Sequence, residues 1–349
     1  MPAFDPNAAA GADSGIFGLS HTMAEAALVY LPVPWEATTS YGGGASAGPK
    51  AIFEASHQVD LYDLDVLRPY EPGLFFLEES AEIQSWNEAA KALAAKIIAV
   101  GGDINDKPEL KKALVEVNNL STRVNDTVYA KTRELLTLGK IVGIVGGDHS
   151  VPYGAIHAIS EKHPGVGILH FDAHSDTRDA YEGFTHSHAS IMNNVLRDLP
   201  GVKKLVQVGI RDFCEQEIDF CRAQKDRVEI HFDAHLARRK FAGESWQHIA
   251  TDIVKALPSE VWISFDIDGL DPRFCPHTGT PVPGGLDFNE ANFLIGEVAR
   301  SGRKIVGFDL NEVAPGPDGD EWDSNVGARL LYKLTAWTLA SQGLCSINS

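Results

Sequence analysis

Three apolar, β-rich runs in this chain each end in a short island of carboxylates and imidazoles, and that pairing limits what the chain can fold into. The runs are residues 141–145, 166–171 and 261–265. The islands are Gly146-Gly147-Asp148-His149-Ser150, Asp172-Ala173-His174-Ser175-Asp176 and Asp266-Ile267-Asp268-Gly269-Leu270-Asp271-Pro272. Such apolar runs read as buried strands of a parallel sheet. In open α/β sheets ligands bind beyond the carboxyl ends of the strands, so three islands can converge on one site. The competing reading is three unrelated polar strand ends.

Spacing within the islands carries the chemistry. Side chains at i, i+2 and i+4 of an extended segment share a face. That groups Asp172, His174 and Asp176, and pairs Asp266 with Asp268. With His149 the set holds two imidazoles and four carboxylates, whose formal charge balances two divalent cations. Crowding so many carboxylates without a metal is costly, because like charges disfavour ionisation. The set contains no thiolate, and mixed oxygen and nitrogen donors suit Mn, Ni, Co or Zn. The expectation is a binuclear metal site. Asp271 lies beyond the i, i+2 pair and reads as a turn residue. Asp148 reads as a support for His149 or a cap for the next helix. His231 and His235 flank Asp233 in a similar string that lacks the second aspartate, and it reads as structural.

The 349 residues suffice for one large α/β domain, and the 44% hydrophobic fraction is ordinary for a globular chain. We divide them into an N-terminal arm, 1–25, and a single domain, 26–349. The arm is polar and Gly/Ala-rich apart from Ile16-Phe17-Gly18-Leu19, and is expected either to pack on a neighbouring subunit or to be disordered. No run of about eighteen apolar residues suggests a membrane span. Nor does the N-terminus show a basic segment followed by an apolar core. Cys214, Cys221, Cys275 and Cys345 form no C-x-x-C pair and read as reduced thiols. The expected location is cytoplasmic. A net charge of −18 argues against a nucleic-acid partner; it would either draw in a small cation or simply serve solubility.

Along the chain, 26–33 reads as the first strand. The loop Trp35 to Gly44 has three consecutive glycines but fails the phosphate-loop spacing. Helices are expected from Ser85 to about Val100, from about Lys107 to Leu138, from Ser150 (as N-cap) to His163, and over about 288–300. Further strands are expected at 204–210, 228–232 and 304–308. Alternation of strands and helices predicts an α/β fold, a three-layer α/β/α sandwich with a mostly parallel sheet.

Taken together, GGDHS, DAHxD and DxDxxDP resemble the arginase/agmatinase (ureohydrolase) family over roughly residues 26–340. The resemblance implies an arginase-like fold with His149, Asp172, His174, Asp176, Asp266 and Asp268 as ligands of two divalent ions. Ser187-His188-Ala189-Ser190 falls where the family has a catalytic His on a loop. Asp309-Leu310-Asn311-Glu312-Val313-Ala314-Pro315 falls where it has a guanidinium-binding Glu. Two cations lower the pKa of a shared water toward about 7. The hydroxide, held by Asp176, attacks the guanidinium carbon, and the intermediate collapses to urea and an amine or ammonia. His188 is the candidate for protonating the leaving nitrogen, with His186 the alternative. Glu312 would receive the planar cation, unless it is merely a surface carboxylate.

Substrate identity rests on smaller features. The loop Thr177-Arg178-Asp179-Ala180-Tyr181-Glu182-Gly183-Phe184 departs from the arginase pattern, and Cys214 stands where arginases have an aspartate. Tyr181 and Phe184 either fill space beside the metals or pack elsewhere. Thr38 and Thr39 either hydrogen-bond a compact guanidinium or stabilise their loop. The chain is most similar to the guanidine hydrolase (guanidinase) branch. That implies guanidine plus water to urea plus ammonia, with Ni2+ first and Mn2+ as alternative. Biguanides such as metformin, other N-substituted guanidines, agmatine and 4-guanidinobutyrate are the alternative substrates. The resemblance also implies a trimer or hexamer, homomeric or paired with a homologous subunit, and a chaperone if the metal is nickel. Two other classes remain: a non-catalytic partner subunit, and a mononuclear amide deacetylase on a related fold.

Overall fold

A computed structural model describes residues 5–11 and 13–348. Eight strands form its sheet: β1 (Leu28–Val33), β2 (Leu74–Phe76), β3 (Ile141–Gly146), β4 (Val166–Phe171), β5 (Val202–Ile210), β6 (Val228–Phe232), β7 (Glu260–Asp266) and β8 (Lys304–Asn311). Their order is β2-β1-β3-β8-β7-β4-β5-β6. Every neighbouring pair is parallel, so the sheet is wholly rather than mostly parallel. Between β3 and β4 the chain skips the places that β8 and β7 later fill. That reversal opens a crevice at the carboxyl ends of four adjacent strands, where an α/β sheet binds ligands.

Among the described residues ten α-helices cover the sheet: α1 (Gly48–Ser56), α2 (Ala81–Ile98), α3 (Pro108–Thr137), α4 (Tyr153–Lys162), α5 (Ile191–Asp198), α6 (Glu215–Ala223), α7 (Asp233–Phe241), α8 (Trp246–Lys255), α9 (Phe288–Arg300) and α10 (Trp322–Ser341). Successive strand residues point to opposite faces and feed two separate cores. On one face Tyr30, Leu169, Ile263 and Phe265 meet Ile52 of α1, Ile253 of α8, Leu294 of α9 and Leu331 of α10. On the other, Val29, Ile144, Ile168 and Trp262 meet Ile83 of α2, Val124 of α3, Ile156 of α4 and Val195 of α5. The result is the three-layer sandwich. From the segment set apart as an arm, Ile16, Phe17 and Leu19 are buried in the first core, with Phe17 edge-on to Tyr332 at 4.9 Å.

Two helix starts differ from expectation. Helix α2 begins at Ala81 because Ser80, not Ser85, accepts the Ile83 N–H and serves as its cap. Helix α4 begins at Tyr153 because Ser150 is occupied elsewhere: its N–H and Oγ both bond Asp148 Oδ1. Helix α9 runs as expected from Asp287, which forms a capping box with Glu290.

Helices α3 and α4 touch backbone to backbone at Gly154. Alanine there would gain helix propensity of about 1 kcal/mol. Its Cβ, however, would lie 2.2 Å from Asn125 O and 2.8 Å from Tyr129 N. Backbone atoms cannot swing aside, so an overpacking cost of about 1–3 kcal/mol outweighs the gain. Gly154→Ala is therefore expected to lower the urea midpoint; an unchanged or higher midpoint would show that the two helices separate freely.

Candidate metal centre

His149 follows β3, Asp172 to Asp176 follow β4, Asp266 ends β7 and Glu312 follows β8. Because β3, β8, β7 and β4 are adjacent, all these side chains meet at one end of the sheet. His149 Nδ1 lies 3.0 Å from Asp172 Oδ2, 3.3 Å from Asp176 Oδ2 and 3.3 Å from Asp266 Oδ2. A second focus forms at His174 Nδ1, 3.5 Å from Asp172 Oδ1 and 3.1 Å from Asp268 Oδ2. Asp172 thus turns one oxygen to each focus. All six expected residues come together, as two donor groups sharing one carboxylate.

A layer of polar side chains behind the cluster was not anticipated. Gln207 Nε2 donates to His170 Nδ1, which leaves the His170 proton on Nε2, 2.8 Å from Asp172 Oδ2. His170 sits two residues before Asp172 on the same face of β4, and that spacing was the available signal. Ser264 Oγ donates to Asp309, so it accepts the Nε2–H of His149 at 2.9 Å. This fixes Nδ1 as the atom that faces the carboxylates. Arg211 donates to the main-chain carbonyls of Gly209, Asp268, Leu270 and Val282 and so holds the third island in place.

The electrostatics of the bare cluster show what it is built to hold. Burial and then the Asp172 charge push Asp176 up to about 7. Burial, with Asp268 next, raises Asp266 well above the usual carboxylate range, and burial with Asp148 does the same to Glu312. Asp172 moves the other way: burial opposes its ionisation, but His170, His149 and His174 hold it well below the usual range. Burial also disfavours a charged His174, yet Asp268 and Asp172 outweigh it and push that imidazole up to about 12. His149 is likewise raised by its carboxylates against burial. The carboxylates thus favour positive charge at His149 and His174. Divalent ions at the two foci would supply it instead and leave the imidazoles neutral, so the residues present fit a pair of such ions.

Asp176 (φ 54°) and Glu312 (φ 61°) both adopt left-handed backbone, a strain that non-glycine residues carry mainly where function fixes them. Glu312 Oε1 accepts the His149 N–H at 2.9 Å, while its buried Oε2 has no partner. His188 is buried beside the cluster with Nδ1 unpartnered; burial and then His174 lower it to about 4. Its N–H bonds Thr38 Oγ1, and the neighbouring Thr39 Oγ1 is buried without a partner. His186 packs instead against the Tyr153 ring. Tyr181 lines a cavity of about 150 Å³ with His174, Asp176, Arg178 and His188. Phe184 does not: it is buried with Ala94, Ile97 and Val117 of α2 and α3, so it packs rather than fills space beside the metals. Asp148 is buried and bonds Ser150. Asp271 Oδ1 accepts the Arg273 N–H, as a turn residue would. Asp233 opens α7, and His231 faces Glu229. A larger cavity, about 490 Å³, lies between residues 5–10 and 57–61, away from these side chains.

The family model of arginases matches residues 26–336. The chain belongs to the arginase family. An N(1)-aminopropylagmatine ureohydrolase of Synechocystis is 31% identical, over 91% of each chain. The solved proclavaminate amidinohydrolase of Streptomyces clavuligerus superposes with a TM-score of 0.72 at 23% identity, covering 96% of this chain and 100% of that one. Agmatine ureohydrolase of Thermoplasma volcanium gives 0.69 at 24%, covering 93% of each. The arginase-family chain is a metal-dependent ureohydrolase, and the family implies a binuclear divalent site.

Two outcomes follow for metal binding. His170→Phe removes the donor that orients Asp172, and metal affinity in chelator competition is expected to fall about 10–100-fold. Metal uptake should also release protons, since Asp176, His149 and His174 hold them near neutrality and bind ions only without them. Affinity therefore rises as pH climbs through about 7. Calorimetry in buffers of different ionisation heat reads that release directly, and no release at pH 7 would contradict the proton-filled cluster.

Proposed function

We propose that this ureohydrolase acts on free guanidine, converting guanidinium and water to urea and ammonium. The observation that carries this reading is the small cavity with Arg178 in its wall. One planar cation can be received by the buried Glu312, next to rather than within that cavity's lining, and a longer tail would run into the Arg178 guanidinium, which is paired with Glu217 and shares its wall with Asp212. That disfavours agmatine-type tails, although relatives such as the Synechocystis protein are named for them. A longer guanidino amine, an N-substituted guanidine or a biguanide is the alternative.

In this reading His149, Asp172, Asp176 and Asp266 would hold one ion, and His174, Asp172 and Asp268 would hold the other. When bound, the two ions lower the pKa of water toward about 7 and so provide the nucleophile. Asp176 orients that water through its carboxylate. Glu312 accepts N–H bonds from the guanidinium through Oε2, its Oε1 being already engaged by the His149 N–H. Thr39 Oγ1 offers a further acceptor. Gly279 keeps the space between them open: a Cβ there would lie 3.2 Å from Thr39 Cγ2 and 3.5 Å from Glu312 Oε2. His188, kept neutral by burial, would take up at Nδ1 a proton given up by the attacking water and pass it to the departing nitrogen.

Nickel is the proposed metal and manganese the alternative, since the donor set accepts both. We further propose a homo-oligomer, trimeric or hexameric, with a homologous partner subunit and a nickel chaperone as additional partners to test. A cytoplasmic location is proposed as well. Among the described residues no helix is long and apolar enough to cross a membrane, and all four cysteines are free.

The test is urea release from guanidine, metformin, agmatine, 4-guanidinobutyrate and arginine by Ni- and Mn-loaded protein. Guanidine should dominate, and Glu312→Gln should lower its kcat/KM by about 10²-fold or more. Dominant turnover of agmatine would overturn the proposal. Silence across the panel with two ions bound would point to a missing partner subunit or an untested substrate, whereas metal content near zero with no turnover would favour the non-catalytic subunit.

A further inference from the structure

Behind the metal-side cavity lies a second one of about 260 Å³, lined by Asp179, Glu182, Cys214, Gln216 and Phe220 among others. Three residues line both: Arg178, Tyr181 and Glu217. We propose that Arg178, laid on the Tyr181 ring and tied to Glu217, is a removable partition that limits the length of substrate this site accepts. The proposal rests on the preceding reading of the site as a guanidinium hydrolase.

The partition is built from both sides. The Arg178 guanidinium carbon lies 4.6 Å from the centre of the Tyr181 ring, and its Nε lies 3.6 Å from Glu217 Oε2. Glu217 is buried and held independently, accepting the Thr177 and Cys214 N–H groups. The backbone on either side is fixed too. Arg178 N–H bonds Ala189 O at 3.0 Å, and Tyr181 N–H bonds Ser190 Oγ at 3.3 Å. Ala180, Glu182 and Gly183 all have positive φ, so the turn that presents Tyr181 is tightly determined. The Arg178 side chain, by contrast, is 38% exposed, and its guanidinium rests on the Tyr181 ring and the Glu217 carboxylate. Truncating it should remove the wall without moving the loop.

The far cavity has its own chemistry. Glu182 and Glu217 bring carboxylates to it, and Glu182 Oε2 is buried without a hydrogen-bond partner, while Asp179 on its rim is exposed and paired with Arg197. Joined to the metal side, this space suits a linear guanidino compound ending in an ammonium. A carboxylate terminus would meet like charge. The wild-type chain, with a guanidinium across the passage, rejects the ammonium tail; without that guanidinium, the same passage leads to acidic groups.

The test uses the full chain loaded with one metal, comparing Arg178→Ala, Arg178→Lys and Tyr181→Ser with wild type. Guanidine, agmatine and 4-guanidinobutyrate are assayed, and metal content is measured in parallel. In Arg178→Ala the agmatine-to-guanidine ratio of kcat/KM should rise at least about tenfold at unchanged metal content. 4-Guanidinobutyrate should gain less. Arg178→Lys should fall between, because lysine keeps the charge and loses the planar stack. Folded Arg178→Ala and Tyr181→Ser with wild-type ratios would overturn the proposal. If a variant loses turnover altogether, calorimetric binding of agmatine decides: tighter than wild type supports the partition, unchanged binding refutes it. The wild-type panel alone judges the substrate reading, while the variant-to-wild-type ratio judges the partition whichever compound wild type prefers.

Discussion

Buried carboxylates that repel one another, held at the ends of four adjacent strands, are the constraint around which the rest of this chain is arranged. Asp172 stays ionised because three imidazoles surround it, while Asp176 and Asp266 are pushed toward protonation. Such a cluster survives only on a rigid frame. The frame is the all-parallel sheet, apolar on both faces, in which one strand end cannot shift without disturbing two cores. The layer behind the cluster, with His170 on Gln207, Ser264 on Asp309 and Arg211 on four carbonyls, stops the carboxylates from turning away from one another.

The loop after β1 shows how the frame reaches the substrate side. Buried Glu36 accepts the N–H groups of Gly44 and Ser46 through Oε2, while Lys91 of α2 donates to its Oε1. One carboxylate thereby closes the loop on itself and on a helix. Inside that closure Thr38 reaches the His188 N–H and Thr39 keeps an unpaired hydroxyl. Gly147 lets the first island pass beneath the loop, since a Cβ there would lie 1.9 Å from Trp35 O.

The parts of this arrangement that were legible in the sequence are those set by local pattern. Strands β4 and β6 and helix α9 have the expected bounds, because apolar runs and the Asp287/Glu290 box need no distant partner. The six clustered residues were legible as islands just past strand ends, although the alternation assumed for them is not what brings them together: Asp268 lies in a 3-10 turn capped by Asp266, and Asp176 adopts left-handed backbone. What was missed depends on partners far along the chain. Phe184 could not be assigned to α2 and α3 from its neighbours, and Ser150 looked like a cap until Asp148 claimed it. His170 carried a signal in its spacing, but its role needs Gln207, 37 positions away. Strand order is also non-local: nothing in the runs themselves says that β8 inserts beside β3.

Asp176 and Glu312 combine left-handed backbone with a buried carboxyl group. Glycine at either position would relax the backbone by about 1 kcal/mol and also remove a carboxylate whose ionisation burial opposes. Selection for heat resistance alone would therefore drift toward glycine at 176 and 312, erasing the site while improving the scaffold. In an engineering campaign these two codons are the ones to lock before the library is made.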